Sequence, residues 1–182
     1  MAGKRQWLEA GLRVLSDEGV PGLTIERLAG LLGLTKGSFY HHFKSMARYK
    51  TELLEHFAAE HTHRYITAAE SAGTTARARL DRLLALVLED EDPGLEPAIR
   101  AWALQDDEVR AMQAQVDELR LDYLRRLWGE VGGEADSAAM ASLLYLVFVG
   151  SQHVIPPVPA AELRDIYDLA LRLAPGEGSD RP

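Results

Sequence analysis

TIERLAGLLGLTKGSFYHHFKSMARYK, residues 24–50, is the stretch whose reading decides the fold. Thr24 is a good N-cap, and Glu26 falls in the first turn of the helix it opens, where a negative charge favours the helix dipole. Ile25, Leu28, Ala29 and Leu32 recur at helical spacing and form one apolar face. Gly33 supplies the unusual backbone that a tight interhelical turn needs, and Thr35 caps a further helix running to about Phe43. Two short helices thus flank a turn containing glycine.

Outward from this stretch the chain reads as helix throughout. Leu8, Leu12 and Leu15, beside Trp7, Gly11 and Val14, mark an amphipathic helix from Lys4 to Glu18 that ends at Gly19, before the breaking segment 19–22. Ser45 caps a long fourth helix in which Tyr49, Leu53 and Phe57 continue through His61 to Tyr65, with Ala72 and Gly73 as its end. Leu80, Leu83, Leu84 and Val87 mark a fifth, and the charged break Glu89-Asp90-Glu91-Asp92-Pro93-Gly94 follows. Pro97 sits in the first turn of a sixth, which carries Ile99 and Trp102. Val109, Met112, Val116, Leu119, Tyr123 and Leu127 set a seventh, reaching toward Gly132-Gly133. The eighth, Ala135 to about His153, is apolar nearly all round and is expected to be buried on more than one side. Pro156, Pro157 and Pro159 stop it; Leu163, Ile166, Tyr167, Ala170 and Leu173 mark the ninth, and 176–182 reads as a flexible tail. With no period-2 strand pattern and no repeat, the fold class is all-α, about nine helices: an N-terminal three-helix helix-turn-helix domain over 1–45 and a helical effector and dimerisation domain over 46–175.

Composition narrows the function. The chain has 182 residues, 47% of them hydrophobic, 26% charged and none cysteine. Disulfides, thiolate zinc sites, iron–sulfur clusters and cysteine nucleophiles are therefore excluded. Lys4, Arg5, Glu9 and Arg13 interrupt the N-terminus, so no secretory apolar core is present there. The longest nearly apolar run, Ala138 to Gly150, is 13 residues broken by Ser142, against about 20 for a membrane span. These features imply a cytoplasmic protein with no membrane partner. Residues 1–50 hold eight Lys and Arg against four Asp and Glu, net +4, while 51–182 hold twelve against twenty-four, net −12. A basic head on an acidic body points to a polyanion as partner of the head alone.

The chemistry of residues 24–50 agrees. Two helices joined by a tight turn form the unit that lays its second helix in a DNA major groove. Lys36, Gly37 and Ser38 lie at the N-terminal end of that helix, where base edges are met; Leu34, Phe39 and Phe43 would face the core. Tyr40, His41, His42 and Lys44 carry donors for phosphate oxygens, which fix register without reading sequence. Spacing alone also fits a plain three-helix packing unit whose aromatic-rich third helix fills a core.

The run from Leu8 to Phe57, above all Thr24-Ile25 and Gly37 through Ser45, resembles the DNA-binding domain of TetR-family transcriptional regulators. The resemblance covers about 50 of the 182 residues. It implies a homodimer of nine-helix subunits, no cofactor, and a double-stranded DNA operator as partner. Carried over residue by residue, Thr24 is the phosphate-contacting cap, Lys36 to Ser38 the base-facing segment, and Tyr40 and His42 phosphate contacts, with Thr35 also assigned to the DNA-binding set. Many relatives carry lysine where this chain has Met46; Lys44, Arg48 or Lys50 are the candidates to replace that contact. In the family the last two helices of each subunit form an intersubunit four-helix bundle, which points to Leu143, Val147, Leu163, Ile166 and Tyr167 as the dimer interface.

The resemblance further implies a repressor released from a palindromic operator by a small-molecule effector. Trp102, Met112, Tyr123, Tyr145 and Phe148 could wall an effector site, with Gln105, Gln152 and His153 as orienting donors; core packing explains the same residues. Walls with few charges favour an apolar or aromatic effector over a sugar phosphate. Control by a protein partner, or no effector at all, stays open as an alternative. Glu52, His56, Glu60 and His63 share one face of the fourth helix and could hold a divalent metal, but a solvated face explains them equally, and no metal is assigned. The acidic run at 89–92 lacks the alternating ligands and glycine of a calcium loop. No GxSxG, GxxxxGK[ST] or GxGxxG occurs, so no enzymatic activity is assigned, and an all-α carboxylate enzyme is the remotest alternative.

Overall fold

A computed structural model of the chain describes residues 3–89, 92, 94–132 and 136–172. The expected tail 176–182, Leu173 in the ninth helix, Gly133, Ala135, and Asp90, Glu91 and Pro93 of the acidic break lie outside the described residues. Among the described residues the regular structure is entirely helical, with no strand. The helices are α1 (Lys4–Glu18), α2 (Ile25–Leu32), α3 (Lys36–Phe43), α4 (Met46–Ala58), α5 (Arg64–Glu70), α6 (Ala76–Leu88), α7 (Leu95–Ala103), α8 (Asp107–Gly132), α9 (Ser137–Ser151) and α10 (Ala160–Arg172). Helix four, expected as one uninterrupted α-helix, instead passes from α4 through a π turn at Ala59–His63 into α5. Counted with that turn as a single rod, the described helices number nine.

Capping chemistry sets the boundaries. The side-chain oxygens of Thr24, Thr35, Ser45 and Thr75 each accept from the backbone N–H three residues on, satisfying one orphan donor at the start of α2, α3, α4 and α6. At the other end of α2, Gly33 adopts φ 64° and ψ 32°, a left-handed conformation open to glycine at little cost. Its N–H donates to Gly30 O at 3.3 Å and that of Leu34 to Ala29 O at 2.9 Å, a Schellman closure that turns the chain toward α3.

The chain divides into two compact units that are not contiguous in sequence. The first comprises Met1–Thr62 and Asp92–Ala114, so the head takes in α4, α7 and the start of α8 besides the three helices of 1–45. Its core is Trp7, Leu15, Leu28, Phe39, Phe43, Tyr49, Leu53, Phe57, Leu95 and Ile99, all essentially fully buried. The second comprises His63–Glu91 and the chain from Gln115 on, where α5 packs on α6, and α10 on α6 and α9. Leu80, Leu84, Tyr123, Leu127, Trp128, Leu144, Tyr145, Leu163, Tyr167 and Leu171 form its core. No described helix is long and apolar enough to cross a membrane.

Candidate nucleic-acid interface

The aromatic face of α3 anchors it to the first unit. Phe39 and Phe43 are fully buried; Phe39 meets Trp7 edge-on at 5.4 Å, and Phe43 meets Tyr49 edge-on at 4.8 Å. Leu34 packs partly buried against the same core. With these side chains pointing inward, helical geometry puts Thr35, Lys36, Gly37, Tyr40 and His41 on the opposite face, where all five are exposed. Ser38 and His42 are half-buried at its margins. A Cβ at Gly37 would meet only Thr35 Oγ1, at 3.6 Å, so the helix surface there is bare and a flat partner can come close. Tyr40 is 50% exposed, with its ring edge against Phe39 at 5.7 Å. Thr24 and Thr35 cap through an acceptor lone pair, which leaves each hydroxyl proton to donate outward, for instance to a phosphate oxygen.

The cations around this face differ in how they are held. Lys36 forms an ion pair with Glu26 on α2, and the ammonium hydrogen bond holds the Glu26 carboxyl below the usual carboxylate range. Arg27 Nε donates to Glu18 at 2.7 Å. Met46 is partly buried against the core and offers no charge. Of the three cations expected to replace a lysine there, Lys50 is turned away, at 3.0 Å from Asp106 and 2.5 Å from Glu108. Arg48 donates to Glu52 at 2.8 Å, and Lys4 pairs with the same carboxylate. Burial opposes ionisation of Glu52, yet those two cations keep its carboxyl low.

Lys44 alone of the three is exposed and makes no ion pair among the described residues. Its backbone is unusual: φ 62° and ψ −33°, with Ser45 N–H donating to Phe43 O at 2.7 Å. This is a strained three-residue γ-turn in a residue other than glycine. The strain presents the ammonium just past the end of α3, and no residue-level pattern signals it.

A capped helix, a glycine-closed turn and a second helix with an apolar inner and polar outer face form a helix-turn-helix. The sequence of residues 8–56 matches the pattern of bacterial regulatory proteins, tetR family. Residues 8–56 are a TetR-family DNA-binding domain. A solved TetR-family transcriptional regulator from Rhodococcus sp. superposes with a TM-score of 0.76 at 19% identity, over 93% of this chain and 97% of that one, which extends the TetR fold to the whole described molecule. Among curated proteins, the nucleoid occlusion factor SlmA of Actinobacillus pleuropneumoniae is 29% identical over 117 residues, 62% of this chain and 57% of that protein. The transcriptional repressor KstR2 of Rhodococcus jostii is 27% identical over 133 residues, 70% of this chain and 62% of that one. The chain thus spans somewhat over half the length of these curated relatives.

The expected effector residues fall in both units. Trp102 and Met112 belong to the core cluster of the first, and Gln105 is exposed after α7 in the same unit. Tyr123, Tyr145, Phe148 and Gln152 lie in the second, with exposed His153 just beyond. There Tyr145 donates to Asp117 at 2.7 Å and stacks on Phe148 at 5.9 Å, and the Arg120 guanidinium sits 5.5 Å from the Phe148 ring. Burial is the main cause that pushes the Tyr123 hydroxyl up to about 12.

The interface residues also separate. Leu163 and Tyr167 are buried in their own unit, the Tyr167 hydroxyl donating to Leu144 O at 3.4 Å. Val147 packs partly buried against that core, while Leu143 and Ile166 are exposed. Within one chain α9 buries a single face, Ala141, Leu144 and Tyr145, and leaves Ala139, Leu143, Leu146 and Gly150 as an exposed stripe. Leu146, 67% exposed, escaped the sequence reading because the all-round apolar α9 carries no phase; Leu169 on amphipathic α10, 58% exposed, was not singled out either. Of the residues that could hold a metal, Glu52 is occupied by Lys4 and Arg48, and Glu60 faces Arg5 at 3.8 Å. No group of three His, Asp or Glu arranged to hold a metal ion occurs among the described residues.

Proposed function

We propose that this TetR-family chain is a homodimeric, cytoplasmic transcriptional repressor, without enzymatic activity, that binds a palindromic double-stranded operator and leaves it when a small molecule occupies the second unit. The observation that carries the reading is the outer face of α3: Thr35, Lys36, Gly37, Tyr40 and His41 exposed together on a helix whose inner face is locked by Phe39 and Phe43. Thr35 to Ser38 meet the bases; Thr24, Tyr40, His41, His42 and Lys44 take phosphates. A helix of eight residues is about 12 Å long and reaches only a few base pairs, so two copies must read half-sites about 34 Å apart or a multiple of it.

A surface that could join the copies exists. Leu143 and Leu146 on α9 and Ile166 and Leu169 on α10 are apolar and exposed at helical spacing, and each large apolar side chain gains about 1.5–3 kcal/mol on full burial. An effector among Tyr123, Tyr145, Phe148 and Gln152 would meet three aromatic rings, with Asp117 and Arg120 beside two of them, which supports an aromatic ligand that also carries a polar group. Release requires that ligand to favour the DNA-incompetent state by about 1–3 kcal/mol. The name of KstR2, a transcriptional repressor, supports negative regulation. That of SlmA, a nucleoid occlusion factor, supports a second reading in which the bound protein acts without a small-molecule effector.

The test is selection of duplexes from random DNA by the full chain. The expected product is a palindrome of two half-sites, bound more weakly by Lys36→Ala, and by Tyr40→Phe to a similar degree on every sequence. A chain that selects no sequence and shifts no duplex at low salt refutes the reading.

A further inference from the structure

Glu26 is out of place on a surface that takes DNA. It stands in the first turn of α2, 66% exposed by its side chain, on the solvated side of the helix-turn-helix, where every nearby phosphate repels it. Its side-chain partner among the described residues is Lys36, the first residue of α3, itself 57% exposed. Such a pair contributes little to folding, because two exposed charges lose rotamer freedom for a screened attraction. What it does achieve is geometric. It ties the first turns of α2 and α3 together across the turn at Gly33 and sets one acceptor and one donor side by side. They stand next to Gly37, where nothing but Thr35 Oγ1 would come within 4 Å of a Cβ.

We infer that Glu26 is a specificity determinant, reading a G·C pair jointly with Lys36 as one donor–acceptor couple. This rests on the proposed operator binding. In the major groove the only donors a carboxylate can accept from are the amino groups of cytosine and adenine, and lysine pairs with guanine O6 and N7. A G·C pair places guanine O6 directly beside cytosine N4, an acceptor next to a donor. The Lys36 ammonium donates to O6 while a Glu26 oxygen accepts the free N4 hydrogen, and the ion pair between them stays intact. An A·T pair presents donor and acceptor in the opposite order; the reversed T·A pair keeps the order but sets the thymine methyl where guanine N7 stands, so Lys36 loses one acceptor and the couple matches G·C best. Glu26 thus offsets its repulsion from the backbone most fully at a G·C pair, which converts a cost in affinity into discrimination.

The experiment compares the full-length wild type with Glu26→Ala, Glu26→Gln and Lys36→Ala, each by selection from random DNA and then by affinity for the selected site with single base-pair changes at fixed salt. Wild type is expected to prefer G·C at one position of each half-site by roughly 5- to 150-fold, the equivalent of about 1–3 kcal/mol. Glu26→Ala and Lys36→Ala should both lose the preference at that same position and keep those elsewhere, and Glu26→Gln should lose it without losing the fold. If Glu26→Ala instead raises affinity evenly on all sequences, the acid merely repels phosphate and the inference is overturned. Loss of preference at different positions for Glu26→Ala and Lys36→Ala overturns the couple. A wild type that selects nothing fails earlier, at operator binding itself, and is told apart from both by that.

Discussion

Gly11 sits where α1 and α4 come too close for a methyl group, and a double-mutant cycle there tests the packing that carries α3. A Cβ at Gly11 would lie 2.0 Å from Tyr49 Oη, 2.9 Å from Leu53 Cδ1 and 3.1 Å from Tyr49 Cζ. The leucine methyl can rotate away. The phenol cannot: its ring is fully buried against Phe39 at 5.1 Å and Phe43 at 4.8 Å, and its hydroxyl donates to Trp7 O at 2.8 Å. Gly11→Ala therefore costs about 1–3 kcal/mol of overpacking and about 1–3 kcal/mol for the displaced buried hydroxyl. The total is roughly 2–6 kcal/mol. Tyr49→Phe alone costs about 1 kcal/mol, since Trp7 O also lies in the helical ladder of α1. Removing the hydroxyl abolishes the 2.0 Å contact, so the double variant should cost about 2 kcal/mol, well under the sum of roughly 3–7 kcal/mol from the single changes. Urea unfolding of the full chain at one protein concentration, followed by tryptophan fluorescence, measures all four corners. Additivity within about 0.5 kcal/mol would refute the contact.

Lys44→Gly should have opposite effects on folding and on DNA. Relief of a strain of about 1–3 kcal/mol, offset by about 0.5–1 kcal/mol of added chain entropy, predicts a net gain near 1 kcal/mol in urea, while loss of the ammonium from both subunits weakens operator binding and lowers its salt slope by about 1 per subunit, about 2 for the dimer. Equal affinity and slope for variant and wild type would remove Lys44 from the phosphate contacts. Leu146→Glu should sediment as a monomer with unchanged helical circular dichroism; a dimer that survives this charge excludes the α9 stripe from the subunit contact. Burial lowers the pKa of His56 from its ordinary 6.5, so its folded pKa lies below its unfolded one. Its contribution is complete above that ordinary value and is lost as pH falls toward the folded pKa. The urea midpoint should drop between pH 7.5 and 5.5, less steeply in His56→Gln, and parallel profiles would show that another group titrates.

Punctuation made the head legible. Thr24, Gly33, Thr35 and Ser45 act within three or four residues of themselves, by capping or by left-handed backbone, so α2 and α3 begin and end where those residues say. The inward set Leu34, Phe39 and Phe43 followed from the helical period in the same way, and its complement is the exposed face of α3. Where the period fails, so did the reading: α9 is apolar all round, and its exposed stripe through Leu143 and Leu146 could not be phased from spacing. The π turn at Ala59–His63 lies in a stretch whose helical pattern gave no sign of it.

By itself, then, the order of residues determined most of the helices, their caps and which helix is the second of the helix-turn-helix, because each depends on neighbours a few positions away. Tertiary structure alone decided which charges are spent and which are offered across the fold: Lys50 on Asp106 and Glu108, Glu52 on Lys4, Lys36 on Glu26, and Lys44 on nothing described. The reason is that an ion pair depends on separation in space, and the separations along the chain, 10 residues for Lys36 and Glu26 and 56 for Lys50 and Asp106, carry no local signal.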